Sequence, residues 1–210
     1  MFRGQAEQDK FVLHALKHKR NGVFLEIGSN HPININNTYV LEHDYNWTGT
    51  MIEYDGKWLS EYIQHRPKSR HVIQDATTVN YASLVTQDID YLQIDLEVDN
   101  RSTLTVLEKL DKEVFPNHSC STVTFEHDIY RGNFFNTRQQ SRDIFAKHGY
   151  VCVFQDIHNE APCYVYEDWY VHPDRVDMDY IRSLQERNQE NYEPNSITRT
   201  SLDWKKIEYP

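Results

Sequence analysis

Gly22-Val23-Phe24-Leu25-Glu26-Ile27-Gly28-Ser29-Asn30 is the stretch whose reading decides the fold. Val23, Phe24, Leu25 and Ile27 form a mostly apolar run, as a parallel strand covered on both faces requires. Gly28 ends the run without a side chain and lets a ligand approach the backbone. Ser29 and Asn30 then open a polar loop. In an open α/β sheet, ligands lie at the carboxyl ends of strands, beside the point where strand order reverses. An ordinary core strand ending in a turn has the same local pattern. What separates the two is whether matching features recur downstream.

Working outward, Gln5 to Lys19 patterns as a helix with Phe11, Val12, Ala15 and Leu16 on one side, ended by Asn21-Gly22. After Gly28, the Asn-rich loop leads to a short helix over Thr38 to Asp44, with Asn37 or Thr38 as its cap. A helix start of this kind offers free N–H groups to a carboxylate or phosphate. The second strand, Gly49 to Glu53, ends in an acid followed by Tyr54 and Asp55. A carboxylate there, roughly 20 residues past the glycine turn, is where nucleotide-binding α/β folds place a ribose acceptor. A solvated strand-end acid is the competing reading of Glu53. Lys57 to His65 is a helix with Trp58, Leu59, Tyr62 and Ile63 as its expected buried stripe. The third strand, His71 to Gln74, ends in Asp75-Ala76. Asp75 is either an acceptor for an exocyclic amine or a simple turn acid.

Asp90-Tyr91-Leu92-Gln93-Ile94-Asp95-Leu96-Glu97 is the second decisive run. It is a fourth strand ending in two acids one residue apart, which alternation directs to one face if the chain stays extended. Acids here can orient a hydroxyl, take its proton or hold a divalent ion. They can equally cap the following helix, Arg101 to Leu110, whose Leu104, Leu107 and Leu110 face inward. The fifth strand, Ser121 to Glu126, leads to His127-Asp128. His127 is a general base or ligand by chemistry, or a structural histidine. Tyr130-Arg131-Gly132-Asn133-Phe134-Phe135 is a polar-aromatic loop that suits a sugar-like substrate or packs on its own rings. A helix over Arg138 to His148 stops at Gly149. Tyr150 to Ile157 and Cys163 to Val171 then form an antiparallel hairpin about Asn159 and Pro162. His158, in that loop, is an alternative base.

The 210 residues suit one α/β domain over residues 1–175, with a C-terminal helix near Met178 to Arg187 and a polar tail completing 176–210. There is no internal repeat. The net charge of −10 argues against a nucleic-acid backbone or an anionic membrane as the main partner. No apolar run reaches membrane-spanning length and the first residues lack a signal-peptide core, so a cytoplasmic protein is expected. Cys120, Cys152 and Cys163 are odd in number and lack metal-ligand spacing, as for thiols of a reducing compartment. Sequons at Asn36, Asn46, Asn100 and Asn117 are read as chance, since a sugar on Asn36 would block the ligand loop.

The ordered set FLEIGSNHP, NNTYVLE, WTGTMIEYD, DYLQIDLE, TFEHD and EDWYVHP spans roughly Gln5 to Pro173. With the alternating elements and closing hairpin, it resembles the Rossmann-like, seven-stranded, mostly parallel fold of class I S-adenosylmethionine-dependent methyltransferases. Within these it resembles the FkbM-type family, whose members methylate hydroxyl groups, often on sugars. A weaker likeness is to methyltransferase modules of glycan-building proteins of large DNA viruses, which implies further glycan-synthesising domains as partners. The resemblance implies a cofactor site on Glu26, Gly28, Ser29, Asn30, Asn37, Thr38, Glu53, Tyr54, Asp75, Ala76 and Asp95. It implies that the Asp95/Glu97 and Glu126/His127 pairs face a carbohydrate acceptor. The family commonly carries a glycine after the second acid of its fourth-strand motif, where this chain has Val98; that departure bears on the direction of Glu97.

The mechanism so implied is in-line displacement at a sulfonium methyl, with His127 or Asp95 as base, or with Asp95 and Glu126 holding a divalent ion that acidifies the hydroxyl. A nicotinamide dehydrogenase lacks support because the first turn has no G-x-G-x-x-G. A nucleic-acid methyltransferase lacks a basic stripe. A non-catalytic nucleotide-binding module with the same fold is the remaining alternative.

Overall fold

A computed structural model describes residues 2–158 and 164–190. Seven strands form one sheet: β1 (Val23–Ile27), β2 (Thr48–Glu53), β3 (Arg70–Ile73), β4 (Ile89–Ile94), β5 (Cys120–Glu126), β6 (Val151–His158) and β7 (Val165–Val171). Their order is β3-β2-β1-β4-β5-β7-β6. The first five run parallel, and β7 inserts antiparallel to both β5 and β6. The chain winds outward from β1 to β3 and returns to β4 on the other side of β1. That reversal opens a crevice at the carboxyl ends of β1 and β4.

β4 is buried along its whole length, as its central place demands. Its two polar side chains are satisfied by backbone: Asp90 accepts from Val23 N at 3.0 Å and Gln93 Oε1 from Ile27 N at 3.2 Å. Alternation sorts the sheet into two faces. Phe24, Met51, Tyr91 and Trp169 pack with Phe11 of α1 (Gln8–Ala15), Leu41 of α2 (Tyr39–Tyr45), Tyr62 of α3 (Leu59–His65) and Ile181 of α7 (Met178–Glu190). Leu25, Ile27, Leu92 and Val123 pack with Tyr81 of α4 (Tyr81–Leu84), Leu107 of α5 (Ser102–Glu113) and Phe145 of α6 (Thr137–Lys147). Phe11 stacks on Trp169 with centroids 4.7 Å apart.

Several expectations shift. The first helix is shorter than Gln5 to Lys19, because Glu7 before it and Lys17 and His18 after it take left-handed backbone. The stripe assigned to Lys57 to His65 does not form: a 3-10 turn over Gly56–Trp58 resets the phase, so Tyr62 is buried while Leu59 and Ile63 are exposed. The four-residue α4 went unread. β6 continues through His158, and Cys163 with the loop holding Asn159 and Pro162 lies outside the described residues. Cys120 and Cys152 are free thiols. α7 docks on the sheet through Ile181 and Leu184, and Gln185 donates to Val153 O at 2.7 Å. Trp204 and Tyr209 lie outside the described residues. Among those residues no helix is long and apolar enough to cross a membrane.

Candidate active site

Gly28 closes β1 with φ +85°, and a Cβ there would lie 1.8 Å from Asp95 O. The glycine is therefore required by chain-to-chain approach: the exit of β4 crosses its Cα, with Asp95 N donating to Ile27 O at 3.0 Å. This replaces the expectation that ligand approach alone demands it. Gly28 N and Ser29 N both donate to Ile52 O, and the buried Ser29 hydroxyl contacts Glu26 O and Ile52 O. The strand tip is fixed from both sides.

The loop after it is held by a buried ionic network that sequence reasoning missed. Arg66, fully buried just past α3, reaches Glu42 (Nε–Oε2 2.9 Å), Asn36 Oδ1 (2.9 Å), Pro32 O (3.3 Å) and Thr38 Oγ1 (2.6 Å). Glu26 completes it, 4.0 Å from Arg66 and accepting from Asn36 Nδ2 at 3.2 Å. Burial raises the Glu26 carboxyl above its ordinary pKa, against the pull of Arg66. Glu26 thus braces the loop from beneath. Thr38 precedes α2 without a side-chain cap bond, and Asn36 Oδ1 instead accepts from Thr38 N at 3.1 Å. Asn36 is buried within this network, so its sequon is closed in the folded protein. Asn37 is also buried, and its Oδ1 has no hydrogen-bond partner.

Glu53 ends β2 at the rim of the crevice. Its two oxygens accept from Asn30 N (2.7 Å) and Asp55 N (2.9 Å), which fixes the carboxylate and leaves each oxygen a lone pair. Tyr54 beside it is 78% exposed, an open ring at the rim. Asp75 caps the next 3-10 turn through Thr77 N (2.9 Å) and Thr77 Oγ1 (2.7 Å), both on Oδ1. Ala76 is buried, its carbonyl accepting from Tyr81 Oη.

Across the crevice, register aligns three acids. Ile94 pairs with Phe125, which sets Asp95 beside Glu126, and Glu126 pairs with Glu167 of β7. Asp95 and Glu126, both half-buried, stand side by side at the ends of these adjacent strands. Burial, then the Asp95 charge, pushes Glu126 well above the ordinary carboxylate range; burial also raises Asp95. Glu167 is buried against Gln8 Nε2 (3.3 Å) and Trp169 Nε1, and burial raises it to about 8. Glu97 does not join them: it is exposed and faces Arg131 at 3.5 Å, which also holds Asp99 and Asp128 at 3.1 Å.

His127 parts from its neighbour Glu126. Ile129 N donates to its Nδ1 (3.3 Å), and Nε2 lies 3.6 Å from Asp168 Oδ1 and 4.0 Å from Asp156 Oδ1. The ring is fully buried towards α6, whose Arg142 is bidentate on Asp168 (2.8 and 2.9 Å). Burial would raise Asp168, but the Arg142 hydrogen bonds, the nearby His127 ring and the Asp156 N–H outweigh it and hold the carboxyl well below its usual range. Among the described residues His127, Asp156 and Asp168 are the group whose ligand atoms lie within 4.8 Å of one another. Arg138 and Arg142 already neutralise those carboxylates at 2.9 Å, so the cluster is an ion-pair network. Among the described residues the Asp95–Glu126 pair, the expected metal position, has no third donor of this kind. His158 is buried at the end of β6.

No protein-family profile matches the chain, and no curated protein matches its sequence. Solved structures do match its fold. An rRNA methylase from Clostridium thermocellum aligns with TM-score 0.55 at 10% identity, over 81% of this chain and 98% of that one. An rRNA methylase from Streptococcus thermophilus gives 0.52 at 8%, over 78% and 93%. A methyltransferase from Pyrococcus furiosus gives 0.50 at 14%, over 78% and 80%. At these identities the likeness is one of fold: the chain has the Rossmann-like, seven-stranded methyltransferase architecture, closing hairpin included.

Proposed function

We propose that this chain is an S-adenosylmethionine-dependent O-methyltransferase acting on a hydroxyl of a neutral sugar. The observation that carries the reading is the half-buried Asp95–Glu126 pair, side by side at the carboxyl ends of β4 and β5, at the switch point beside the fixed tip of β1.

The donor set fits the cofactor. Glu53 keeps a free lone pair on each oxygen for a ribose diol, and Tyr54 offers an open ring beside it. Ser29 and Asn30 begin an ordered loop beside Glu53, with Asn30 N on its carboxylate. Asp75 retains Oδ2 for an amine. When bound, the cofactor supplies an electrophilic methyl group on a sulfonium.

The chain's own residues then have two tasks. They align an acceptor hydroxyl and remove its proton. The carboxylate of the Asp95–Glu126 pair takes that proton as the new C–O bond forms and the C–S bond breaks. His127, with Nδ1 and Nε2 both turned to protein, braces the β5 exit and leaves the base role to the acids. A row of carboxyls, Asp95, Glu126 and Glu167, disfavours a phosphodiester acceptor and suits a neutral one.

Calorimetric titration with S-adenosylhomocysteine, using NAD as the control, tests the reading. Micromolar binding of the former alone is expected. Preference for NAD, or no binding of either, overturns it.

A further inference from the structure

Beyond β5 the chain presents rings that the methyl-transfer scheme does not use. Tyr130 and Tyr164 are 43% and 49% exposed and meet edge to face, centroids 5.1 Å apart at 90°. Tyr130 N donates to Val165 O at 3.1 Å, so the β5 exit and the start of β7 hold this pair as one unit. Two residues on from Tyr164, Tyr166 is only 6% exposed, and its hydroxyl has no hydrogen-bond partner among the described residues. Its carbonyl accepts from His127 N and Asp128 N, which anchors it against the same β5 exit. Tyr166 directly precedes Glu167, which pairs with Glu126, so the tyrosine lies one residue along β7 from the acids of the strand ends. Among the described residues the Tyr166 hydroxyl is thus a buried one without a partner, held at the β5 exit next to the acids, and so an incomplete polar site.

We propose that Tyr130, Tyr164 and Tyr166 form the acceptor subsite: the exposed rings receive the C–H face of a pyranose, the Tyr166 hydroxyl bonds one ring hydroxyl, and a neighbouring hydroxyl meets the Asp95–Glu126 pair. The inference rests on the methyl-transfer reading. Three features select this ligand chemistry. Exposed aromatic faces favour an apolar surface over a charged one. The carboxyl pair and the phenol suit hydroxyl groups as hydrogen-bonding partners. Arg131, the cation of this loop, is engaged by Glu97, Asp99 and Asp128, which leaves a phosphorylated ligand without its usual partner.

The test is saturation-transfer NMR on the intact chain, with methyl α-L-rhamnopyranoside and methyl β-D-glucopyranoside as probes, with and without S-adenosylhomocysteine. Wild type is expected to transfer saturation to the protons of one face of at least one glycoside. Tyr130→Leu with Tyr164→Leu should weaken that binding by roughly tenfold, while Tyr130→Phe keeps it, because the ring face is the contact. S-adenosylhomocysteine affinity should be unchanged in every variant, which also reports an intact fold. In turnover, the leucine variants should raise KM with little change in kcat. Absence of transfer to both glycosides in wild type, or transfer indifferent to the leucine pair, overturns the subsite. Glycoside contact that survives while S-adenosylhomocysteine fails to bind supports the subsite and overturns the reaction.

Discussion

Arg66→Met removes the centre of the buried network under the site, and its cost can be worked from the geometry. The guanidinium is fully buried, makes four hydrogen bonds between 2.6 and 3.3 Å, and faces Glu42 and Glu26. Removing one partner of a buried ion pair costs about 3–5 kcal/mol, because the other charge stays buried and uncompensated. Glu42 keeps Lys68 N (3.0 Å) and the Ser69 hydroxyl, which softens the loss there. A value near 4 kcal/mol should lower the thermal midpoint by roughly 8–16 °C for a chain of this size. Urea denaturation of both proteins measures it directly. The penalty should shrink as pH falls and the stranded acids take up protons, and Glu42→Gln in the Arg66→Met background should recover part of it. A loss below about 1 kcal/mol, the worth of an exposed pair, refutes the assignment of Arg66 as the loop's anchor. So does a loss that pH and Glu42→Gln both leave unchanged.

Gly28→Ala places a side chain at φ +85° and 1.8 Å from Asp95 O, so beyond about 1–2 kcal/mol of left-handed strain it must part β1 from the β4 exit. A lower denaturation midpoint together with weakened S-adenosylhomocysteine affinity is expected, and wild-type values for both would remove the close approach from consideration. Because Glu126 is held neutral by burial and by Asp95, turnover should rise with pH along a limb above the ordinary carboxylate range. Asp95→Asn should abolish that turnover and leave calorimetric cofactor affinity nearly intact; lost folding or affinity instead would take Asp95 out of the chemistry. Glu167 has its folded pKa raised from 4.5 to about 8, so the fold favours its protonated form. Its contribution is fully present below pH 4.5 and is lost as pH rises towards about 8. Glu167→Gln should therefore flatten the stability profile across that window, and an unchanged profile in urea melts would count against the burial.

Much of this was readable because β1, β4 and β5 carry their signals locally. Val23 to Gly28 and Tyr91 to Asp95 are short apolar runs, one ending at a glycine and one at an acid, and alternation along a strand needs no distant information. Arg66 was not readable for the opposite reason. It sits in a polar helix end, and its hydrogen-bond partners lie 24 to 34 residues away, so nothing nearby marks it as buried. The same limit applies to His127: TFEHD places it beside Glu126, but the pleat turns successive side chains to opposite faces and delivers it to Asp168 and α6. Glu97 follows Asp95 by two residues, yet the chain leaves extended backbone after Ile94, so the carboxylate swings out to Arg131. Gly28 was legible as a place where a side chain would keep a ligand off the backbone, but the atom it makes room for in the structure is Asp95 O, just past β4.

The insertion of β7 between β5 and β6 has a consequence for how the protein is made. On a ribosome, β6 emerges before the strand that pairs with it, and the parallel strands leave β5 as a bare edge until Val165–Val171 appears. Phe11 waits equally long, because the indole on which it stacks is Trp169. The nascent chain thus carries an open sheet edge and an unseated aromatic helix through most of its synthesis, the state in which strands seek foreign partners. The closing strand is then a late latch that seats α1 and covers the β5 edge in one step. Interrupting translation before it would yield a sticky fragment rather than a smaller folded domain.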